Sequence, residues 1–332
     1  MVLYTPLKGN TTMNNTLKKA MSKIHITSLH LENNLITRFN LKKTYNIKSI
    51  NKETLINIVD YSINYEKLNN TYANEELNNF INFITNKFTK EELVLFYRNI
   101  NSLNIENNKN TCFKYATSTY NVLENKIVIS DKKFIYHELF HMITAIYTKD
   151  SIICGFWQYN ETLDDGIGEG INEGYTQLLT EKYFQASNDN LKDDYTYETM
   201  VAKCLEIILG EEEMEKLYIN ANLQGLIDNL NNYINMKTVM SFINKLDYVT
   251  LNRYNDNLST YTKKKIIDYI EDINTILICI YNIKLKKENL TKQEYNEKLT
   301  NYISLFNNKI FIGGKSNNPS KLININKVII KL

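Results

Sequence analysis

The chain has 332 residues, 43% hydrophobic and 23% charged, a balance that supports a sizeable core and excludes wholesale disorder. Lys and Arg (39) nearly cancel Asp and Glu (37), so no global field draws the chain to nucleic acid or to anionic lipid. The four cysteines, Cys112, Cys154, Cys204 and Cys279, lie far apart with no C-x-x-C pair, which excludes a cysteine zinc ribbon and predicts buried free thiols.

Residues 1–20 are polar and unpatterned, and a loose N-terminus is expected there. The N-terminal segment holds no apolar run followed by a small-residue cleavage site, so a cytoplasmic protein is the default expectation. The longest apolar stretch, Ile276 to Ile280, is far too short to cross a bilayer, so no membrane partner is expected.

From Lys52 to Asn101 the apolar spacing predicts helices. One stripe runs through Leu55, Ile58, Val59 and Ser62, a second through Leu77, Phe80, Ile81 and Ile84, and a third through Leu93, Phe96, Tyr97 and Ile100. Lys126 to Ser130 (KIVIS), rich in β-branched residues, predicts a short strand. Ser130 or Asp131 then caps a helix from Lys132 to Tyr147, whose apolar residues cover nearly every face and predict burial.

A loop with one strand, Ile152 to Tyr159, is expected between Thr148 and Gly168. Gly166, Gly168 and Gly170 delay the next helix to about Gly170, and it runs to about Phe184. Further helices are expected over Tyr197–Leu209, closed by Gly210, and over Glu211–Leu217, Leu223–Ile234, Thr238–Leu246 and Lys263–Ile283. The end, Leu322 to Leu332, reads as a strand. Proline occurs only at Pro6 and Pro319, so none interrupts this helical half.

Within the buried helix, His137, Glu138 and His141 form H-E-x-x-H. The i,i+4 spacing stacks both imidazoles on one face, where they can share a metal ion. Glu138 is turned by roughly 100° about the axis, near enough to meet a metal-bound water without being a ligand. Two surface histidines beside a solvated glutamate would be an ordinary alternative. It fails on context, because three unpaired polar groups on a buried helix would each cost several kcal/mol.

A catalytic zinc takes three protein ligands and keeps one position open. The remaining histidines, His25 and His30, lie in the weakly patterned N-terminus, so a downstream carboxylate is expected. Glu161, Asp164, Asp165, Glu169, Glu173 and Glu181 are available. Glu173, in the first turn after the glycines, is best placed on the face shared with Thr176, Gln177 and Thr180. Glu169 is the second choice, one turn earlier and expected in the Gly-rich loop.

The segment Gly170 to Gln177 (GINEGYTQ) resembles the third-ligand helix of the gluzincins, the thermolysin-like metallopeptidase clan. With H-E-x-x-H the resemblance covers about residues 126–184. The phrase NEGYTQLLTEKYF and the stretch Tyr195 to Gly210 are also similar to a group of uncharacterised bacterial gluzincin-like proteins. The resemblance implies one zinc held by His137, His141 and Glu173, Glu138 as general base, and hydrolysis of a peptide or protein substrate. It implies an α+β, predominantly helical fold: a zincin-like bilobed unit with a small N-lobe sheet (residues 21–169) and a helical C-lobe (170–332). The family places a His or Tyr where an oxyanion develops, and Tyr159 and Tyr197 are the two candidates here.

Two features depart from the family pattern. The 31 residues between His141 and Glu173 make a longer connection than thermolysin-like enzymes have. The position four residues after the ligand glutamate, an aspartate in those enzymes, is Gln177, which can accept from an imidazole N–H but brings no charge. Two other readings stay open: a zinc-stabilised binding protein without turnover, and a deformylase-type amidase. The amidase would need a cysteine ligand, and Cys112 lacks the flanking motif.

Overall fold

A computed structural model describes residues 47–68, 71–107, 118–148, 150–160, 165–184, 195–255, 257–307, 310–312 and 315–317. The expected loose N-terminus and the strand at 322–332 lie outside the described residues, as do His25, His30, Cys112, Glu161 and Asp164. The chain is predominantly helical with small sheets.

The first described elements are helices α1 (Lys52–Ile56), α2 (Tyr65–Leu68), α3 (Asn74–Lys87) and α4 (Val94–Ile100). The stripes at 77–84 and 93–100 are buried as their spacing requires, whereas the first stripe fails. Helix α1 stops at Ile56, and Ile58 is 72% exposed. The carboxylate of Asp60 accepts from the backbone N–H and the hydroxyl of Ser62, a local bond that competes with helix continuation.

Strands β1 (Asn104–Asn107), β2 (Ser118–Asn121) and β3 (Lys126–Ile129) form a sheet with β3 central, parallel to β1 and antiparallel to β2. Asp131 caps a single 3₁₀ turn, Lys132–Phe134, by accepting from the Lys133 N–H. Helix α5 (Ile135–Thr144) follows and ends three residues before Tyr147, the expected end. Asn99, on α4, donates both amide hydrogens, to the Met142 and Ala145 carbonyls, filling acceptors that a continuing helix would have used.

Ala145 instead begins β4 (Ala145–Thr148), the edge of an antiparallel sheet with β5 (Ser151–Cys154), β6 (Trp157–Asn160) and β7 (Asp165–Ile167). The expected loop with one strand is therefore a four-stranded sheet. Its β5–β6 turn needs Gly155, whose φ is +53° and where a Cβ would stand 2.3 Å from the Asn172 amide oxygen.

Helix α6 (Glu169–Phe184) starts one residue before Gly170, so Glu169 opens the helix and is not a loop residue. Helices α7 (Thr196–Leu209), α8 (Glu211–Ile219), α9 (Leu223–Asn231), α10 (Met236–Asn252) and α11 (Thr260–Lys286) complete the expected run, several of them longer than the apolar spacing alone predicts. Helix α12 (Lys292–Ser304), with a Thr291–Glu294 capping box, adds to the expected elements, and a short hairpin of β8 (Ile310–Ile312) and β9 (Lys315–Asn317) follows it. Most buried apolar residues from Leu68 to Ile312 form one continuous cluster, beside a second, small one of Val94, Leu95, Ile146, Ile153 and Ala221. Within the larger cluster α6 packs against α5, α7 and α10, and this places Glu173 opposite the H-E-x-x-H helix.

Candidate metal centre

Helix α5 presents His137 and His141 one turn apart, with ring centroids 4.8 Å from each other. Their Nε2 atoms lie 3.1 Å apart. Glu173 on α6 reaches both, with Oε2 3.2 Å from His137 Nε2 and Oε1 3.5 Å from His141 Nε2. Among the described residues these three form the group able to hold a metal ion. Ligand bonds of 2.0–2.1 Å at tetrahedral angles put donor atoms about 3.3 Å apart, and here one donor atom from each of the three residues lies within 4.8 Å of the other two. Two imidazole nitrogens and a carboxylate are also a donor set that borderline metals accept.

The position of Glu173 is fixed from outside its own helix. Asp247, buried on α10, accepts the N–H groups of Gly168 at 2.8 Å and Gly170 at 2.9 Å, donors that the start of α6 leaves without an intrahelical partner. Gly174 lets α7 approach, since a Cβ there would stand 2.2 Å from the Glu198 carbonyl oxygen. Glu198 is fully buried and paired with Arg253 through two bonds, at 2.9 Å and 2.5 Å.

Each imidazole is held from behind. Gln177 Oε1 stands 3.1 Å from His137 Nδ1, the contact expected from its place one turn after Glu173. His141 Nδ1 faces Asn172 Nδ2 at 3.3 Å and Cys154 Sγ at 3.6 Å. Burial pushes the Glu173 carboxyl up, but His141 and His137 outweigh it and hold the carboxyl well below the usual range. Burial likewise lowers His141, while Glu173 and Cys154 raise it well above an ordinary imidazole.

Glu138 is buried and outside the ligand group, and its Oε1 accepts from the Ser118 hydroxyl at 2.6 Å. Glu169 lies a turn before Glu173, and burial, with Glu173 and Asp247 beside it, pushes its carboxyl up to about 8. Asp165 lies on β7, and Glu181 accepts from the Gln177 amide nitrogen at 3.0 Å. Neither Asp165 nor Glu181 belongs to the ligand group.

Tyr197 is sealed in the core with its hydroxyl donated to Asn274, and Tyr159 stacks on Trp157 in the second sheet. Tyr195 lies against a candidate ligand, its ring nearly parallel to that of His137 with centroids 5.7 Å apart. Its backbone is left-handed (φ +55°), and its N–H donates to the Tyr254 hydroxyl, itself bonded to Arg253. Sequence spacing held a clue: Tyr197 shares its stripe with Met200, Val201 and Cys204, which marks it as core, and Tyr195 falls outside that stripe. Burial, together with Glu173, Tyr254, Glu169 and Glu138, keeps the Tyr195 hydroxyl protonated far above neutral pH. Cys154, Cys204 and Cys279 are buried free thiols.

No family model, curated protein or solved structure matches the chain.

Proposed function

We propose that the chain is a zinc-dependent hydrolase, a gluzincin-like metallopeptidase with one zinc per chain held by His137, His141 and Glu173. The observation that carries this reading is the pairing of a closely spaced three-ligand group with a buried carboxylate, Glu138, that is not one of the ligands. A structural site has no use for such a carboxylate, whereas hydrolysis needs a base beside the metal.

A bound zinc ion supplies Lewis acidity and brings the pKa of a water close to 7. Glu138 accepts the water proton and delivers it to the leaving amine. The Ser118 hydroxyl occupies Oε1 and fixes the carboxylate, which leaves Oε2 for the proton. Tyr195, kept neutral, donates its hydroxyl to the oxyanion that develops on the substrate carbonyl. In this reading the mixed α/β part and the helical part are the two lobes of a zincin-like unit, with a peptide or protein between them.

The test compares metal content and digestion of a peptide library by the wild type and Glu138→Gln. Both should carry one zinc, and cleavage by the variant should fall at least about a hundredfold, the lower end of a general base's contribution. Equal zinc content with no cleavage by either protein would sink the peptidase reading in favour of a zinc-stabilised binding protein.

A further inference from the structure

We propose that Cys154 is a positioning residue for His141, its sulfur accepting the imidazole Nδ1–H when Nε2 is committed to the metal. The inference rests on the metal reading above and concerns how the ligand is held.

The two ligand histidines have unlike support. An imidazole that coordinates through Nε2 carries its proton on Nδ1, and a buried N–H without an acceptor is costly. For His137 the acceptor is the Gln177 side-chain oxygen. For His141 the nearer neighbour is Asn172, but the orientation of that amide is decided elsewhere. The Phe156 N–H donates to Asn172 Oδ1 at 3.0 Å, so Nδ2 is the atom turned toward His141. Reversing the amide would set its NH₂ group against the Phe156 N–H. With the ring loaded, Asn172 and His141 therefore meet donor to donor.

Cys154 resolves the conflict. Its thiol is 2% exposed and lies 3.6 Å from Nδ1, and its S–H can donate to the His141 carbonyl oxygen at 3.4 Å. One thiol thus grips the residue twice, giving a proton to the backbone and receiving one from the ring. The residues responsible are consecutive: Cys154 ends β5, Gly155 makes the turn where a Cβ would strike the Asn172 oxygen, and Phe156 locks the amide. The four-stranded sheet that lengthens the connection between His141 and Glu173 is, on this account, the buttress of the second metal ligand.

The experiment measures zinc dissociation constants by competition with a chromogenic chelator for wild type, Cys154→Ala, Cys154→Ser, Asn172→Asp and the double variant Asn172→Asp/Cys154→Ala. Melting of the metal-free forms reports whether each folds. Cys154→Ala should weaken zinc binding at least about tenfold, the lower end for loss of a partner behind a ligand. Cys154→Ser, which keeps a donor and an acceptor, should stay close to wild type. The carboxylate introduced by Asn172→Asp offers one oxygen to the Phe156 N–H and one to Nδ1–H. In that background the alanine should cost little, a non-additivity that packing alone does not produce. In ¹⁵N-histidine spectra of the zinc-loaded protein, Cys154→Ser should move the His141 Nδ1–H resonance and leave that of His137 in place. Wild-type affinity in Cys154→Ala overturns the proposal, as does an equal deficit in the Asn172→Asp background or an unmoved His141 resonance. Failure of the wild type to bind zinc at all removes the metal reading, and this inference with it.

Discussion

The ring of Tyr195 lies 10° from parallel to that of His137, with centroids 5.7 Å apart. A tyrosine held in a left-handed backbone conformation against a candidate metal ligand is a costly arrangement for a non-glycine residue, and such strain gathers at functional sites. We predict that Tyr195→Phe keeps the ring stacking and the zinc content but loses the hydroxyl's part in turnover. Cleavage of any peptide the wild type cuts should fall by about 10²–10³ in kcat, the loss seen when one oxyanion donor is removed. A kcat within a few-fold of wild type would remove Tyr195 from the mechanism.

The ligand assignment makes an ordered prediction for two glutamates on one helix. Glu173 reaches both imidazoles and Glu169 belongs to no ligand group. Glu173→Ala should strip zinc from the protein during dialysis, while Glu169→Ala should retain it. Atomic absorption on the dialysed variants decides the matter, and the opposite order would move the third ligand to Glu169.

Stability should depend on pH through Glu169. Its carboxyl titrates near the ordinary 4.5 in the unfolded chain and at about 8 when folded, so the folded state binds the proton more tightly. The stabilisation is complete below the unfolded value and is lost as pH rises toward about 8. Glu169→Gln, which stays neutral, should therefore melt above the metal-free wild type by a margin that is small at acid pH, grows toward pH 8 and then levels off. Asp247, pushed up to about 7 by burial, is present in both proteins with the same sign, and its charge beside Glu169 adds to the margin as it ionises. A margin independent of pH would show that the Glu169 carboxyl is not desolvated.

Gly174 is where α6 and α7 touch, and we predict that Gly174→Ala is among the most damaging small substitutions. The added methyl carbon would meet the Glu198 carbonyl oxygen at 2.2 Å and its carbon at 2.4 Å, and neither is the end of a flexible side chain. Overpacking of this kind costs about 1–3 kcal/mol or more, and here it also displaces the helix that carries Glu173. Urea unfolding should show the loss of stability, and zinc affinity should fall with it. Unchanged values in both measurements would mean that the two helices can separate without consequence.

The part of this protein that is readable in its sequence is local. His137 and His141 share a face because four residues make one turn of helix, and Glu173 can be placed because glycines and apolar spacing set the start and phase of α6. Gln177 follows from the same phase, and it stands behind His137 as its position requires. The buried stripes of α3, α4 and α7 are legible for the same reason: a period of 3.6 residues is a property of a short segment.

What tertiary structure decided depends on partners distant in sequence. The length of α5 is settled by Asn99 and by pairing with β5, so three residues of strong helical pattern become a strand. The segment before Gly168 reads as a loop because its strands are three and four residues long, too short for alternation to show until they pair with one another. Tyr195 can be identified only once Tyr254 and Arg253, just beyond the end of a helix some sixty residues later, hold its backbone in place. The Cys154 thiol reads from sequence as a small buried hydrophobe. In the fold it lies 3.6 Å from His141 Nδ1, and because the Phe156 N–H turns the Asn172 amide, the acceptor proposed for His141 is set by a hydrogen bond in which His141 takes no part.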